Sequence, residues 1–198
     1  MGLYWISGTI VCLVEPPYAE RHVRWWERLG PNGPRLLDYA WHMRRSKREI
    51  TDSSEISLFL RHEKVLHLGF QDALGMCIFP LNYGAIQEGG KWYLVFHGAI
   101  AGRKAEFFTE PRQVCFEIEG EGQLLTGPVA CSYSYAYTSV MGNGMVSAAP
   151  EEKKEHYLAV LMKQLTGKEN FAYDKTILGQ TKLFLLCVES LTCKRRER

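Results

Sequence analysis

The sequence predicts a mainly β protein, an antiparallel β-barrel with peripheral helices. Candidate strands outnumber candidate helices, and most neighbouring strands are joined by short turns, which favours a barrel. The chain has 198 residues, of which 46% are hydrophobic and 23% are charged. This length and composition predict one globular domain with a sizeable core.

The first 42 residues differ from the rest of the chain. They contain bunched tryptophans and several prolines, but they show no sustained helical or strand period. We therefore interpret residues 1–42 as an N-terminal extension and residues 43–198 as the domain. One hypothesis is that Met43 is the native start and that the extension is not part of the native protein.

The first regular element of the domain is predicted at Asp52. Asp52 and Glu55 form a capping-box-like start to a short helix. At helical spacing, Ile56, Phe59 and Leu60 then point toward the core. The apolar residues of this helix predict that it packs on the barrel.

A hairpin is predicted over residues 76–97. The two strand candidates are 76–85 and 92–97, and Glu88-Gly89-Gly90 supplies the turn between them. An alternating strand over 64–70 precedes the hairpin.

The second half of the chain mixes helices and strands. The predicted elements are a helix over 99–109, a strand over 113–119, a long strand over 132–146, a helix after Pro150 and a buried strand over 181–189. Pro111 stops the first helix, and Gly142 and Gly144 mark a bend or bulge in the long strand. Residues 194–198 form a basic tail.

Charge and cysteine usage limit the classes of partner. The net charge is +2, from 24 basic and 22 acidic residues, so no strong overall field attracts nucleic acid or a membrane surface. The apolar stretch 2–14 has no basic segment before it and is too short for a membrane span. The six cysteines show no zinc-site spacing and lie mostly in apolar runs. We expect buried thiols, no metal site and a cytoplasmic protein.

The most informative stretch for chemistry is residues 96–104, FHGAIAGRK. A strand ends at His97, two glycines let the backbone approach a ligand, and Arg103 and Lys104 begin a helix. Such a place suits a phosphate group, since arginine binds its oxygens bidentately and lysine adds a point charge. The same residues also fit a solvated basic pair after a glycine turn.

Five segments occur in a characteristic order: MRRSKREITD at 43–52, PLNYG at 80–84, FHGAIAGRK at 96–104, YTSVMGNG at 137–144 and LTCKRRE at 191–197. In their order and approximate spacing they resemble the nitroimidazole-resistance branch of the pyridoxamine 5′-phosphate oxidase-related family. The segments frame all of residues 43–198, whereas residues 1–42 lie outside the resemblance. Cys193 stands where relatives commonly have glycine.

The resemblance implies a split β-barrel homodimer with FMN in a groove between the subunits. Asn82 and Tyr83 would border the isoalloxazine ring, and His97 and Ala99 would line the flavin from the next strand. Hydrogen bonds to the ring tune how readily it accepts electrons.

The resemblance also implies a phosphate site and a candidate catalytic residue. Arg103 and Lys104 would hold the ribityl phosphate, and Ser139 would add a hydroxyl donor to the phosphate or the ring. In nitroimidazole-resistance proteins a histidine in this stretch is associated with the active centre, so the resemblance implies a catalytic role for His97; the unperturbed histidine pKa of about 6.5 suits proton transfer. The alternative for His97 is a structural role at the barrel end.

Two functions follow from the resemblance. As an enzyme, the protein would pass electrons from FMN to a small acceptor such as a nitroaromatic, for example a nitroimidazole, or a quinone. No GxGxxG motif lies in a βαβ unit, so a nicotinamide donor would bind transiently at the flavin. The alternative is a non-catalytic module that binds a flavin or haem, since a fold alone does not decide function.

Overall fold

The computed structural model describes residues 3–6, 9–12 and 46–197, and the chain divides into two units, Met1–His42 and Met43–Arg198. In the first unit, β1 (Leu3–Ile6) and β2 (Thr9–Cys12) form an antiparallel hairpin. The boundary residue Met43 lies outside the described residues. That residues 1–42 are an extension foreign to the native protein stays a prediction.

The second unit contains eight strands, four α-helices and three short 3-10 helices among its described residues. The strands are β3 (Glu49–Ile50), β4 (Val65–Asp72), β5 (Gly75–Glu88), β6 (Lys91–Ala99), β7 (Arg112–Glu119), β8 (Gln123–Leu125), β9 (Ser134–Ala148) and β10 (Thr181–Arg196). The α-helices are α1 (Ser53–His62), α2 (Arg103–Phe107), α3 (Lys154–Thr166) and α4 (Lys175–Gly179).

Six of these strands close into an antiparallel barrel. The order is β10-β6-β5-β4-β7-β9, and β9 pairs back with β10. The length of β10 allows this closure, because its first half pairs with β6 while most of it also pairs with β9. The strands β3 and β8 add to β10 and β9. The prediction of a mainly β split barrel with peripheral helices is confirmed.

The barrel core follows from the two-residue period of its strands. Alternate side chains point inward, so Leu66 and Leu68 of β4 and Ile118 of β7 are completely buried. At one end of the barrel the aromatic side chains of Phe96 and Phe184 stack, with 5.4 Å between their ring centroids. This packing fixes the end of β6 against the start of β10.

The helix α1 begins where the sequence predicts. Asp52 Oδ1 accepts hydrogen bonds from the backbone N–H groups of Ser54 (2.7 Å) and Glu55 (3.1 Å), which lower the pKa of Asp52. The Glu55 carboxylate pairs with Arg195 on β10. The cap therefore stabilises α1, and Glu55 ties the helix to the barrel.

The hairpin at residues 88–91 is also confirmed, with longer strands than predicted. Glu88 pairs with Lys91, and the loop residues Gly89 and Gly90 have φ angles of 57° and 78°. Two consecutive positive φ values match the twist of a two-residue hairpin and favour glycine at both positions.

The predicted helix over residues 99–109 is largely wrong. Ala99 continues β6 and pairs with Thr181, and α2 covers only Arg103–Phe107. Gly102, at φ 104°, turns the chain between the strand and this short helix. Helical propensity of the segment was overridden by pairing with a strand far away in sequence.

The prediction of a basic tail over residues 194–198 is also wrong, because Lys194, Arg195 and Arg196 belong to β10 and pair with β9.

A bend or bulge was predicted at Gly142 and Gly144 of β9. The structure has the bulge on the neighbouring strand β10, where the register shifts between Val188 and Ser190. The two glycines of β9 allow the backbone of β10 to approach closely.

Gln164 on α3 joins three parts of the unit. Its Oε1 accepts a hydrogen bond from the Ala85 N–H (2.7 Å), and its Nε2 donates to the carbonyls of Leu60 (3.1 Å) and Glu63 (2.6 Å). We expect Gln164→Met to lower the free energy of unfolding by about 2 kcal/mol, because the buried Ala85 N–H loses its acceptor. Urea unfolding measures this. Lys163→Met, at an exposed residue of the same helix, should change the free energy of unfolding little. Equal losses of stability in the two variants would contradict the prediction.

The cysteines are less buried than their apolar surroundings predict. Cys115 and Cys131 are exposed, so the expectation of buried thiols is wrong for both, while Cys193 is 1% exposed. Strand alternation explains Cys115, which points outward between the inward residues Val114 and Phe116.

These differences predict the order of thiol labelling. Burial raises the pKa of Cys193 to about 11, so its reactive thiolate is scarce at neutral pH. We expect a maleimide to modify Cys115 and Cys131 in the native protein and Cys193 only after unfolding, as read by peptide mass mapping. Native labelling of Cys193 at the rate of Cys115 would contradict this order.

Candidate functional site

The candidate site lies where β5 and β6 meet at one end of their ladder. Tyr83 pairs with Phe96 in the last residue pair of this ladder. Asn82 and His97 come one residue beyond it, on neighbouring strands, and both side chains are exposed. Ala99, also exposed, ends β6 opposite Thr181. Three of the predicted flavin contacts therefore lie at the same end of the sheet.

Lys104 adds a half-buried cation to this end. A Cβ atom on Gly98 would lie 3.7 Å from Lys104 Nζ and 3.3 Å from a ring carbon of Phe184. Glycine thus leaves open the space beside the ammonium group. Lys104 Nζ also lies 5.6 Å from the ring centroid of Phe79. Burial lowers the pKa of Lys104, so an anion placed here would favour the charged ammonium.

The imidazole of His97 responds to the same surroundings. Desolvation and the charge of Lys104 lower the pKa of His97 below its usual value. The lowered pKa favours the neutral ring, which can accept a proton from a neighbouring group. Because the folded pKa lies below the unfolded value of about 6.5, stability is lost as the pH falls below that value.

Arg103 points away from Lys104. Its Nε and Nη2 donate to the two oxygens of Asp72, both at 2.7 Å, and Nη2 also donates to the Gly75 carbonyl at 3.2 Å. This bidentate pair fastens α2 to the turn between β4 and β5. Successive helical residues point about 100° apart, so the geometry favours Lys104 over Arg103 for a phosphate contact.

The side chain of Tyr83 lies in the core. It is 0% exposed, its hydroxyl donates to the Leu60 carbonyl at 2.8 Å, and burial raises its pKa. Strand alternation turns Tyr83 inward and its neighbour Asn82 outward. No part of the Tyr83 side chain is left open to a ligand in this structure.

Ser139 is also set apart from the other candidates. It is 7% exposed and lies on β9 between Glu119 of β7 and Lys194 of β10. His97 pairs with Leu183 at the opposite end of β10. Within one chain, the structure therefore brings Asn82, His97, Ala99 and Lys104 together but not Ser139.

Sequence reasoning missed residues that β10 contributes to the site. Thr181 and Lys182 pair with Ala99 and Gly98. The pairing joins segments more than 80 residues apart in the printed sequence, and no local period signals which strand lies beside β6. Asp72 was missed for a similar reason: aspartate is common in turns, and the local sequence does not indicate that Arg103 lies near it.

A six-stranded barrel closed by one long strand, with peripheral helices, defines the class of antiparallel split-barrel proteins. The family follows from the sequence: residues 52–195 match the model of the pyridoxamine 5′-phosphate oxidase family. The match spans most of the chain, and this protein belongs to that family. No match was found among the curated proteins.

Solved structures show the same fold. A proposed 5-nitroimidazole antibiotic resistance protein from Bacteroides thetaiotaomicron is 27% identical, with a TM-score of 0.61 over 74% of this chain and 86% of that chain. A FAD and haem binding protein from Mycobacterium smegmatis is 16% identical, with a TM-score of 0.68 over 76% of this chain and 74% of that chain. A flavocytochrome from Azotobacter vinelandii is 19% identical, with a TM-score of 0.65 over 79% of this chain and 72% of that chain.

No helix in the described part of the chain is both long and apolar enough to span a membrane.

Proposed function

We propose that this protein is an FMN-binding flavoprotein that passes electrons to a small acceptor such as a nitroaromatic, for example a nitroimidazole, or a quinone. Family membership and the similarity to the Bacteroides thetaiotaomicron protein support this function. The observation that carries it is the half-buried ammonium of Lys104 beside Gly98, at the same barrel end as His97.

The residues at this end fit FMN. Lys104 would pair with the ribityl phosphate in the space that Gly98 leaves open. Asn82, His97 and Ala99 are exposed along the two adjoining strands, where they would border the isoalloxazine ring. Arg103 would keep α2 in place through its pair with Asp72. Bound FMN would supply the hydride and electron chemistry.

His97 would handle a proton during the reduction of the acceptor. Its lowered pKa favours the neutral ring, which can orient an acceptor by a hydrogen bond and exchange a proton with solvent. Its exposed position leaves room for an acceptor of small size.

We also propose that the protein is a homodimer whose second copy covers the outer face of β5. Met76 and Ile78 on that face are 84% and 71% exposed, and adjacent apolar side chains of this exposure are typical of protein contacts. Size-exclusion chromatography with light scattering measures the molar mass of the particle in solution. The mass of a monomer at micromolar protein concentration would count against the dimer.

We propose a cytoplasmic location, a reducing compartment in which thiols such as those of the five described cysteines persist.

The test of the function is an absorbance spectrum of the purified full chain, with mass spectrometry of the released ligand. We expect a flavin spectrum and release of FMN. Turnover of a nitroimidazole with reduced nicotinamide then separates an oxidoreductase from the alternative, a module that binds flavin or haem without a substrate. A colourless protein that takes up no added FMN would overturn the proposal.

A further inference from the structure

Arg196 has a buried hydrogen-bond donor without an acceptor. It is the last residue of β10 and pairs with Tyr137 of β9. Its Nε is buried and has no hydrogen-bond partner among the described residues. The neighbouring Arg195, in contrast, donates from Nε to the Thr138 hydroxyl at 3.1 Å and pairs with Glu55. A buried guanidinium donor without a partner is costly, so an acceptor from outside the chain would stabilise it.

Two cavities of about 500 Å³ each meet at Arg196. One is lined by the hydroxyl-bearing residues Thr126 and Ser134, together with Leu124 and Leu125. The other is lined by the cations Lys47 and Arg48 and by Arg195. Arg196 is therefore accessible from a hydroxyl-lined side and from a basic side.

The charge around Arg196 favours an anion. Arg195 pairs with Glu55 and lies 3.7 Å from Glu197, so its charge is offset. The other charged residues that line these cavities are Lys47, Arg48 and Arg196 against Glu49. The adjoining surface is apolar: Leu124 and Tyr135, which pair across β8 and β9, are 57% and 50% exposed. A ligand with an anionic group and an apolar body would match both parts.

We propose that Arg196 anchors an oxyanion-binding site that takes the phosphate or carboxylate group of a small molecule. The planar guanidinium can hold two oxygens of such a group at once. The hydroxyls of Thr126 and Ser134 supply further donors. A flat apolar portion of the ligand lies against Leu124 and Tyr135.

This site is separate from the Lys104 site within one chain. His97 pairs with Leu183 near the start of β10, and Arg196 ends the same strand. At about 3.3 Å per residue, the strand between them is roughly 40 Å long. Within one chain, an anion bound at Arg196 is therefore not held by Lys104.

The test is an NMR titration of the full chain, which observes the Nε–H signals of ¹⁵N-labelled arginines. Pyrophosphate and benzoate are the two probes, so that a phosphate source and a carboxylate source are distinguished. We expect the Arg196 signal, assigned by its loss in Arg196→Gln, to shift saturably with at least one probe. Saturation with neither probe would overturn the proposal.

Variants separate a built site from general charge attraction. Isothermal titration calorimetry measures the affinity where the Arg196 signal is absent: Arg196→Gln should weaken the saturable binding at least tenfold. Arg61→Gln, the same change at an exposed arginine over Trp92, should leave it within twofold. Arg196→Lys keeps the charge but loses the guanidinium fork, and it should restore the affinity only in part. Equal losses in Arg61→Gln and Arg196→Gln would overturn the site.

A further variant distinguishes this site from the proposed FMN site. Lys104→Ala should keep the Arg196 response to the probes unchanged, whether or not it still binds FMN. If Lys104→Ala abolished the saturable shift, the probes would be bound at the flavin phosphate position and the separate site would be refuted. Should Arg196→Gln fail to fold, the titration of the unmodified chain and of Arg196→Lys still decides.

Discussion

Replacing Gly144 by alanine should lower the free energy of unfolding by about 3 kcal/mol or more, because β9 and β10 could no longer meet. A Cβ atom at this position would overlap the carbonyl oxygen of Cys187 and lie 3.0 Å from its carbonyl carbon. Both atoms belong to the β10 backbone, which cannot rotate away as a side chain can. The pairing that closes the barrel would have to open locally.

Urea unfolding followed by circular dichroism measures this loss. Gly179→Ala is the matched control: a Cβ there meets nothing within 4 Å, and its φ angle is not positive. The control should be as stable as the unmodified protein. If Gly144→Ala stayed within about 1 kcal/mol of that control, close approach of β10 would not be what requires glycine at position 144.

Replacing Lys104 by alanine should weaken FMN binding about tenfold to a hundredfold. The expected loss corresponds to one charge-assisted hydrogen bond to a phosphate, worth about 1.5–3 kcal/mol. Lys104 is half-buried, so water does not fully screen its charge. Quenching of flavin fluorescence during titration of FMN into the flavin-free chain measures the affinity.

Riboflavin provides the decisive comparison, because it lacks the phosphate. Its affinity should be the same for the unmodified protein and for Lys104→Ala. Lys91→Ala, at the exposed first residue of β6, should leave both affinities unchanged. If Lys104→Ala lost affinity for riboflavin and FMN equally, Lys104 would contact the flavin ring or support the fold, and the phosphate contact would be disproved.

Local signals predicted most of the fold correctly. Asp52 predicts the start of α1 because a cap acts within three residues, and Gly89-Gly90 predicts a turn because the required φ angles belong to those residues alone. The short strands β3 and β8 and the helix α4 were missed, since two- to five-residue elements are too short to show a period. The full length of β10 was missed because its basic end reads as solvated.

The candidate site was predictable in part for the same reason. The FHGAIAGRK segment places His97, Ala99 and Lys104 within one stretch, and the structure keeps them together at one barrel end. The sequence alone did not indicate that Arg103 is paired with Asp72 or that Tyr83 points inward. Both facts depend on which strands are neighbours, and pairing between distant segments leaves little trace in a single sequence.

The closure of the barrel by β10 has a consequence for synthesis. Among the barrel strands β10 is synthesised last, and until it emerges β6 and β9 each have an open edge able to pair with another chain. Closure of the barrel therefore waits for the synthesis of β10, and its rate is set by contacts between distant parts of the chain. Nascent chains should accordingly depend on chaperones until β10 has emerged.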